Sequence, residues 1–134
     1  MSKKHRRVKI DFNLFLTASD MEKIRDAIDL YSDDVYEMDT VSPPGIIRSA
    51  LFSANAKLQN MTFTDERTED FPLSDMEFIA ACWAVNYIIW LYAAGEIEPD
   101  MVPDPLQNRD AITLLGSYLS DKASLVGFSI PTDF

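Results

Sequence analysis

The chain is short of the residues on which much protein chemistry depends. Its 134 residues include one cysteine, Cys82, one histidine, His5, and four glycines. One cysteine cannot form an internal disulfide, and a single Cys/His pair cannot make the usual four-ligand zinc site. A Ser-His-Asp triad would need His5, which lies within a basic run, and no glycine-rich phosphate loop is present. We therefore predict a protein that is not an enzyme and that uses no metal or other cofactor.

Positive charge is also scarce, and it is separated from the negative charge along the chain. Twelve Lys and Arg stand against 22 Asp and Glu, which gives a net charge of −10. Such a separation predicts either a basic arm that contacts phosphates or an acidic face that meets a basic partner. Five of the twelve basic residues lie within the first nine positions, namely Lys3, Lys4, Arg6, Arg7 and Lys9.

The chain has one long apolar run, over residues 78–94, which is interrupted only by Asn86. This run of 17 residues is shorter than the ~20 needed to span a bilayer, and acidic residues flank it on both sides. We therefore expect a core helix and no membrane span, with Trp83, Trp90 and their neighbours in a helical core or interface. The start MSKKHRR precedes an alternating segment and not a continuous apolar one, so no secretory signal and a reducing, cytoplasmic setting are predicted.

An N-terminal strand is predicted over residues 8–16, where every second residue is apolar. The apolar positions are Val8, Ile10, Phe12, Leu14 and Leu16. About four helices are expected after this strand. Residues 33–41 can form either a short strand or a connection. The sequence thus predicts an α+β fold that is mostly helical.

Caps and periodicity place the helices. A capping box at Ser19 and Glu22 opens a helix over residues 20–32, and proline in the first turn opens a second over residues 43–59. A second capping box, at Ser74 and Glu77, opens the apolar helix, which ends at Gly95. A fourth helix is centred on residues 111–118. The predicted organisation is a flexible basic arm over residues 1–7 and one globular domain over residues 8–134, with a strand-helix-helix part (8–60) and a helical part (74–119).

The order of arm, strand and helix followed by the segment SPPGIIRSAL resembles the ribbon-helix-helix family of small DNA-binding regulators. The second helix of that family often opens as Ser-x-Ser-x-x-Ile-Arg-x-Ala-Leu. Residues on this pattern are Ser42, Ile47, Arg48, Ala50 and Leu51, with Pro44 at the place of the second serine. The resemblance covers residues 8–58.

The resemblance implies a transcription regulator that binds DNA as a homodimer. Two strands would pair into an antiparallel ribbon that enters the major groove, a docking mode known for two-stranded ribbons. The basic arm would contact phosphates, and alternate strand residues would face the bases. The nucleic-acid-binding residues are then Lys3, Lys4, Arg6, Arg7, Lys9, Asp11, Asn13, Phe15 and Ser42.

The excess of acid supports a second hypothesis, in which the chain is an acidic inhibitor or adaptor that binds another protein. Acidic side chains concentrated in residues 65–77 and 96–104 could imitate duplex phosphate and occupy a basic nucleic-acid-binding protein. The carboxylates assigned to this surface are Asp65, Glu66, Glu69 and Asp70, with Asp26, Asp29, Asp33 and Asp34 beside them.

Overall fold

A computed structural model describes residues 14–37, 43–63 and 72–134 of the chain. This part contains four α-helices: α1 (Ala18–Glu37), α2 (Gly45–Leu58), α3 (Asp75–Ala93) and α4 (Arg109–Leu125). Two single 3-10 turns, Pro99–Met101 and Asp104–Leu106, lie between α3 and α4. Residues 33–37, for which the sequence left a strand open, continue α1.

The predicted α+β fold is wrong, because the described residues are 70% helical and form no strand or sheet. Of the predicted strand, residues 8–13 lie outside the described residues, and residues 14–16 precede α1 and belong to no strand. Leu14 and Leu16 pack on the helical core, whereas Phe15 is 66% exposed. Alternation of apolar and polar residues therefore indicates only that one side of an extended segment is buried. Packing on helices buries one side of such a segment just as packing in a sheet does. The described residues therefore contain no part of the strand ribbon expected for a ribbon-helix-helix protein.

Local side-chain caps lie at the starts of α1 and α3, as Asn108 does at the start of α4. Thr17 and Asp20 exchange reciprocal hydrogen bonds of 3.1 Å between backbone N–H and side-chain oxygen, so α1 begins at Ala18 and not at the predicted Ser19 cap. The predicted capping box at Ser74 and Glu77 is confirmed at the start of α3.

The end of α3 follows the glycine signal in the sequence. Gly95 has a φ of 73°, and the Glu96 N–H donates to the carbonyl of Leu91 at 2.9 Å. This is the six-to-one bond of a Schellman motif, which satisfies a carbonyl that the helix would otherwise leave unpaired.

α3 lies at the centre of the fold and packs against α1, α2 and α4. By length and composition it could cross a membrane, and it is the one such helix among the described residues. In this fold 72% of its apolar stretch is buried, as expected for the core helix of a helical bundle. Its hydrophobicity is therefore accounted for by the interior of this fold, and the cytoplasmic location stays a prediction.

A buried carboxylate fastens α2 to the start of α3. Glu77 is 3% exposed and accepts hydrogen bonds from the Ser53 hydroxyl and, at 2.5 Å, from the Lys57 ammonium. Burial by itself would raise the pKa of the Glu77 carboxyl, but the bonds from Lys57, Ser53 and the Ser74 cap outweigh it and lower the pKa to about 2. The ionised form is thus favoured in the folded protein.

We expect Glu77→Gln to destabilise the fold by about 1.5–3 kcal/mol, the usual contribution of hydrogen bonds to a charged group. A lowered folded-state pKa contributes stability that is complete above the unfolded pKa and is lost as pH falls towards about 2. Urea unfolding followed by circular dichroism between pH 7 and pH 2 should therefore show a smaller loss of stability on acidification in the variant. The exposed Glu98→Gln is the matched control. Parallel acid profiles for Glu77→Gln and the unmodified chain would contradict this role.

Candidate functional site

Of the residues predicted to bind nucleic acid, the structure describes Phe15. Its ring is exposed, and its backbone N–H donates to the Tyr118 hydroxyl at 2.8 Å, which ties the segment before α1 to α4. The remaining predicted site residues lie outside the described residues and stay predictions: Lys3, Lys4, Arg6, Arg7, Lys9, Asp11, Asn13 and Ser42, and, on the acidic surface, Asp65, Glu66, Glu69 and Asp70.

The described part of the acidic surface is concentrated on α1. This helix carries seven carboxylates and two basic side chains, Lys23 and Arg25. Arg25 forms an ion pair of 3.0 Å with its neighbour Asp26, and Lys23 donates to the Ser19 hydroxyl at 2.6 Å. Both bases thus lie in the first half of the helix, and they leave its second half acidic.

We refer to Asp29, Asp33, Asp34 and Glu37 as the acidic cluster. Three of its members fall within the last five residues of α1, and no basic residue lies in the last turn. A helix C-terminus already carries about −0.5 elementary charge from its peptide dipoles, so anions there are unfavourable. The charge at the C-terminal end of α1 is therefore opposite to the one that would stabilise the helix.

Asp29 shows the combined effect of burial and of this crowding. Partial burial, followed by the charge of Asp33, raises the pKa of its carboxyl above the ordinary value, although a hydrogen bond with Asn55 of α2 opposes the change. A raised pKa means that the folded protein holds the ionised carboxyl less favourably than the unfolded chain does.

An aromatic pocket lies beside the acidic cluster. Four rings, Tyr31 from α1 and Trp83, Tyr87 and Trp90 from α3, surround the ring of Phe134. The centroid of the Phe134 ring lies 5.3 Å from that of Tyr87, 5.9 Å from that of Tyr31 and 6.2 Å from those of both tryptophans. Most of these contacts are edge-to-face or tilted, as the ring quadrupoles favour.

One hydrogen bond joins the pocket to the acidic cluster. The Tyr87 hydroxyl donates to Asp34 Oδ2 at 2.6 Å. Burial first, and then the bond to Asp34 and its charge, raise the pKa of the Tyr87 hydroxyl, and the charge of Glu96 adds to this. Carboxylates from α1 and from the loop after α3 thus act on the same hydroxyl at the edge of the pocket.

The sequence contained part of the signal for this pocket. Trp83, Tyr87 and Trp90 follow one another at spacings of four and three residues, which places them on one face of a helix. The prediction that the tryptophans lie in a helical core agrees with their partly buried positions in the structure. Tyr31 and Phe134 could not be joined to them by spacing, because long stretches of chain intervene.

Within residues 14–37, 43–63 and 72–134, no three His, Cys, Asp or Glu side chains come together as a possible metal site. Burial raises the pKa of the Cys82 thiol, which therefore stays protonated at neutral pH. The absence of enzymatic activity stays a prediction. No protein-family model, curated protein or solved structure matches the chain. The functional assignment therefore depends on the geometry of the acidic cluster and the aromatic pocket.

We expect Asp29→Asn to raise the melting temperature at pH 7. A raised pKa means that ionised Asp29 reduces stability at neutral pH, and that this cost disappears as pH falls through the folded-state pKa. Thermal unfolding at pH 7 and at about pH 3, below the usual aspartate pKa, measures both effects. The difference between the variant and the unmodified chain should be largest at pH 7.

The matched control for that experiment is Asp110→Asn. Asp110 lies in the first turn of α4, where a negative charge faces the positive end of the helix dipole. The same chemical change should therefore lower or leave unchanged the melting temperature there. A lower melting temperature for Asp29→Asn at pH 7 would show that the acidic cluster is not crowded.

Proposed function

We propose that this protein is a non-enzymatic binding module whose acidic cluster captures a basic segment of another protein. In this function it acts as an inhibitor or adaptor of that partner. A nucleic-acid-binding protein is the partner class that such a surface fits best, because the face that such a protein uses for phosphate is rich in Lys and Arg. Asp65, Glu66, Glu69 and Asp70, which lie outside the described residues, stay assigned to this function by sequence alone.

The observation that carries the proposal is the unfavourable placement of charge on α1. Asp33, Asp34 and Glu37 crowd the negative end of the helix dipole without a basic side chain in the last turn. Proteins tolerate such a local cost mainly where function requires it. A cationic partner would remove both the mutual repulsion of the carboxylates and their repulsion by the dipole, so binding would recover free energy that folding has lost.

An exposed aromatic residue supports the same surface. Tyr36 is 78% exposed and lies in the sequence between Asp33 and Glu37, in the last turn of α1. Tyrosine is among the residues that most often anchor protein interfaces, because it buries a large rigid ring and keeps a polar end. An acidic rim around such an anchor suits a partner that presents Lys or Arg around an apolar centre.

DNA reading by a strand ribbon is not part of the proposal, since the described fold contains no strand. The acidic face of α1 would also repel a duplex and not attract it. The predicted homodimer is untested, and the apolar helix that suggested it is covered by the other three helices of the same chain. Light scattering of the full chain will measure its mass directly.

The test reverses charge at the acidic cluster and follows both binding and stability. A fluorescent peptide rich in lysine and arginine is titrated with the chain, and anisotropy is recorded. Each close contact between unit charges contributes about 1 kcal/mol in water. Asp33→Lys combined with Glu37→Lys should therefore weaken binding by roughly tenfold or more. The same double variant should raise the melting temperature, because cations stabilise a helix C-terminus.

The opposite signs of the two effects separate lost binding from lost folding. Asp110→Lys combined with Asp121→Lys makes an equal change in net charge on α4 and should alter binding only slightly. Binding of the unmodified chain should also weaken between ~0.01 M and ~0.15 M salt, as the Debye length falls from ~30 Å to ~8 Å. Equal losses for the α1 and α4 variants would show that net charge alone is responsible and would refute the proposed site.

A further inference from the structure

Residues 128–134 cover one side of the helical bundle without forming a helix or strand. Two attachments hold this covering segment to α3. The Asn86 side-chain amide donates to the Pro131 carbonyl at 3.1 Å, and the Phe134 ring fills the aromatic pocket. Asn86 also donates to the Ser120 hydroxyl at 3.3 Å, so the same side chain links α3 to α4 and to the covering segment.

Two open surface clefts border the covering segment beside α4, with volumes of about 320 Å³ and about 290 Å³. Ser120 of α4 lines both clefts, Ile130 borders the first and Thr132 the second. Phe128, Ile130 and Phe134 pack against the core, but no residue of the segment is fully buried. Partial burial and the lack of helix or sheet hydrogen bonds are the features of a segment that opens locally at low cost.

A glycine separates the covering segment from α4. Gly127 has a φ of 90°, a conformation that other residues rarely adopt, and the Phe128 N–H donates to the Ala123 carbonyl at 3.0 Å to close the last turn. The end of α4 thus uses the backbone N–H of Phe128 and no residue of the covering segment after it. Displacement of residues 129–134 would leave the cap of α4 in place.

The covering segment also shows which chemistry complements the site. An aromatic ring enters the pocket, and a backbone carbonyl three residues before it accepts from Asn86. In charge the segment is a poor match, because its one charged side chain, Asp133, is acidic like the neighbouring cluster on α1. A segment with the same ring and a basic residue beside it would keep both attachments and add attraction to the acidic cluster.

We infer that residues 128–134 are a displaceable plug, and that the aromatic pocket binds an extended basic segment of the partner whose aromatic side chain replaces Phe134. This assignment extends the proposed capture of a basic segment and rests on it, because the charge of the partner allows it to compete with the attached plug. A tethered segment competes at an effective concentration in the millimolar range. Attraction at the acidic cluster is therefore required for displacement, and an uncharged copy of the segment should displace poorly.

The test uses tryptophan emission, which reports on this pocket directly. The chain contains two tryptophans, Trp83 and Trp90, and both contact the Phe134 ring. The probe is a synthetic peptide that repeats residues 128–134 with lysine in place of Asp133, titrated into the full-length chain and into full-length Phe134→Ala. With the intramolecular competitor removed, the variant should bind the peptide at least about tenfold more tightly than the unmodified chain does.

Control peptides and variants measure the contributions of the aromatic ring and of the charge to binding separately. A peptide with alanine at the Phe134 position should change tryptophan emission in neither protein, and a peptide that keeps the aspartate should bind more weakly than the lysine peptide. Phe134→Leu, which leaves a smaller apolar plug, should give an intermediate affinity and provides a graded result if Phe134→Ala unfolds. Leu125→Ala changes an 80% exposed position two residues before Gly127, and this variant should bind the peptide as the unmodified chain does.

The outcomes distinguish this inference from the function on which it rests. If Phe134→Ala gains no affinity for the lysine peptide while the Lys/Arg-rich peptide still binds through Asp33 and Glu37, the plug is a fixed part of the core and the inference is overturned. The same holds if the alanine peptide binds as well as the phenylalanine one. If neither basic peptide binds, the proposed capture of a basic partner fails as well.

Discussion

The fold depends on one constraint, which is that α3 is apolar on nearly all sides and must be covered on all sides. A helix that is hydrophobic all round is stable in water only when other elements surround it. α1, α2 and α4 pack against it, and residues 128–134 add further cover where the Phe134 ring meets Trp83, Tyr87 and Trp90. The other elements are therefore arranged so that together they bury α3. The acidic surface of the protein is the solvent-facing side of these surrounding elements.

Polar groups on α3 determine which element covers which side. Glu77 binds Ser53 and Lys57 of α2, Asn86 binds Ser120 of α4 and the carbonyl of Pro131, and Tyr87 binds Asp34 of α1. Apolar packing is not directional, so it tolerates many rotations of a helix about its axis. A buried polar group must find a hydrogen-bond partner, because an unpaired one costs more free energy than a hydrogen bond gains. Its partner is within reach in only one arrangement of the helices. These three side chains thus give the bundle a register that the apolar surface alone would not specify.

The candidate site follows from the same arrangement. Contact between α1 and α3 places Tyr31 against Tyr87 and brings Asp34 to the rim of the pocket, where it accepts a hydrogen bond from the Tyr87 hydroxyl. The acidic cluster reduces the stability of α1, since its charge adds to the negative end of the helix dipole. The free energy lost in folding is available again when a cationic partner binds. The same carboxylates therefore lower the stability of the fold and strengthen the binding of a cationic partner.

By itself the sequence determined where apolar surface recurs and where helices can start and stop, because periodicity and caps act over a few residues. It located four helices, the Ser74 and Glu77 box and the glycine after α3, and it showed that acid prevails beyond the basic arm. It misassigned residues 14–16 to a strand, since alternation records which side is buried and not what buries it. Only the tertiary structure decided that Phe134 meets Tyr31 and Trp83, and that Tyr87 meets Asp34. Such contacts join residues far apart in the chain, and their geometry depends on how all the helices pack together, which no local pattern encodes.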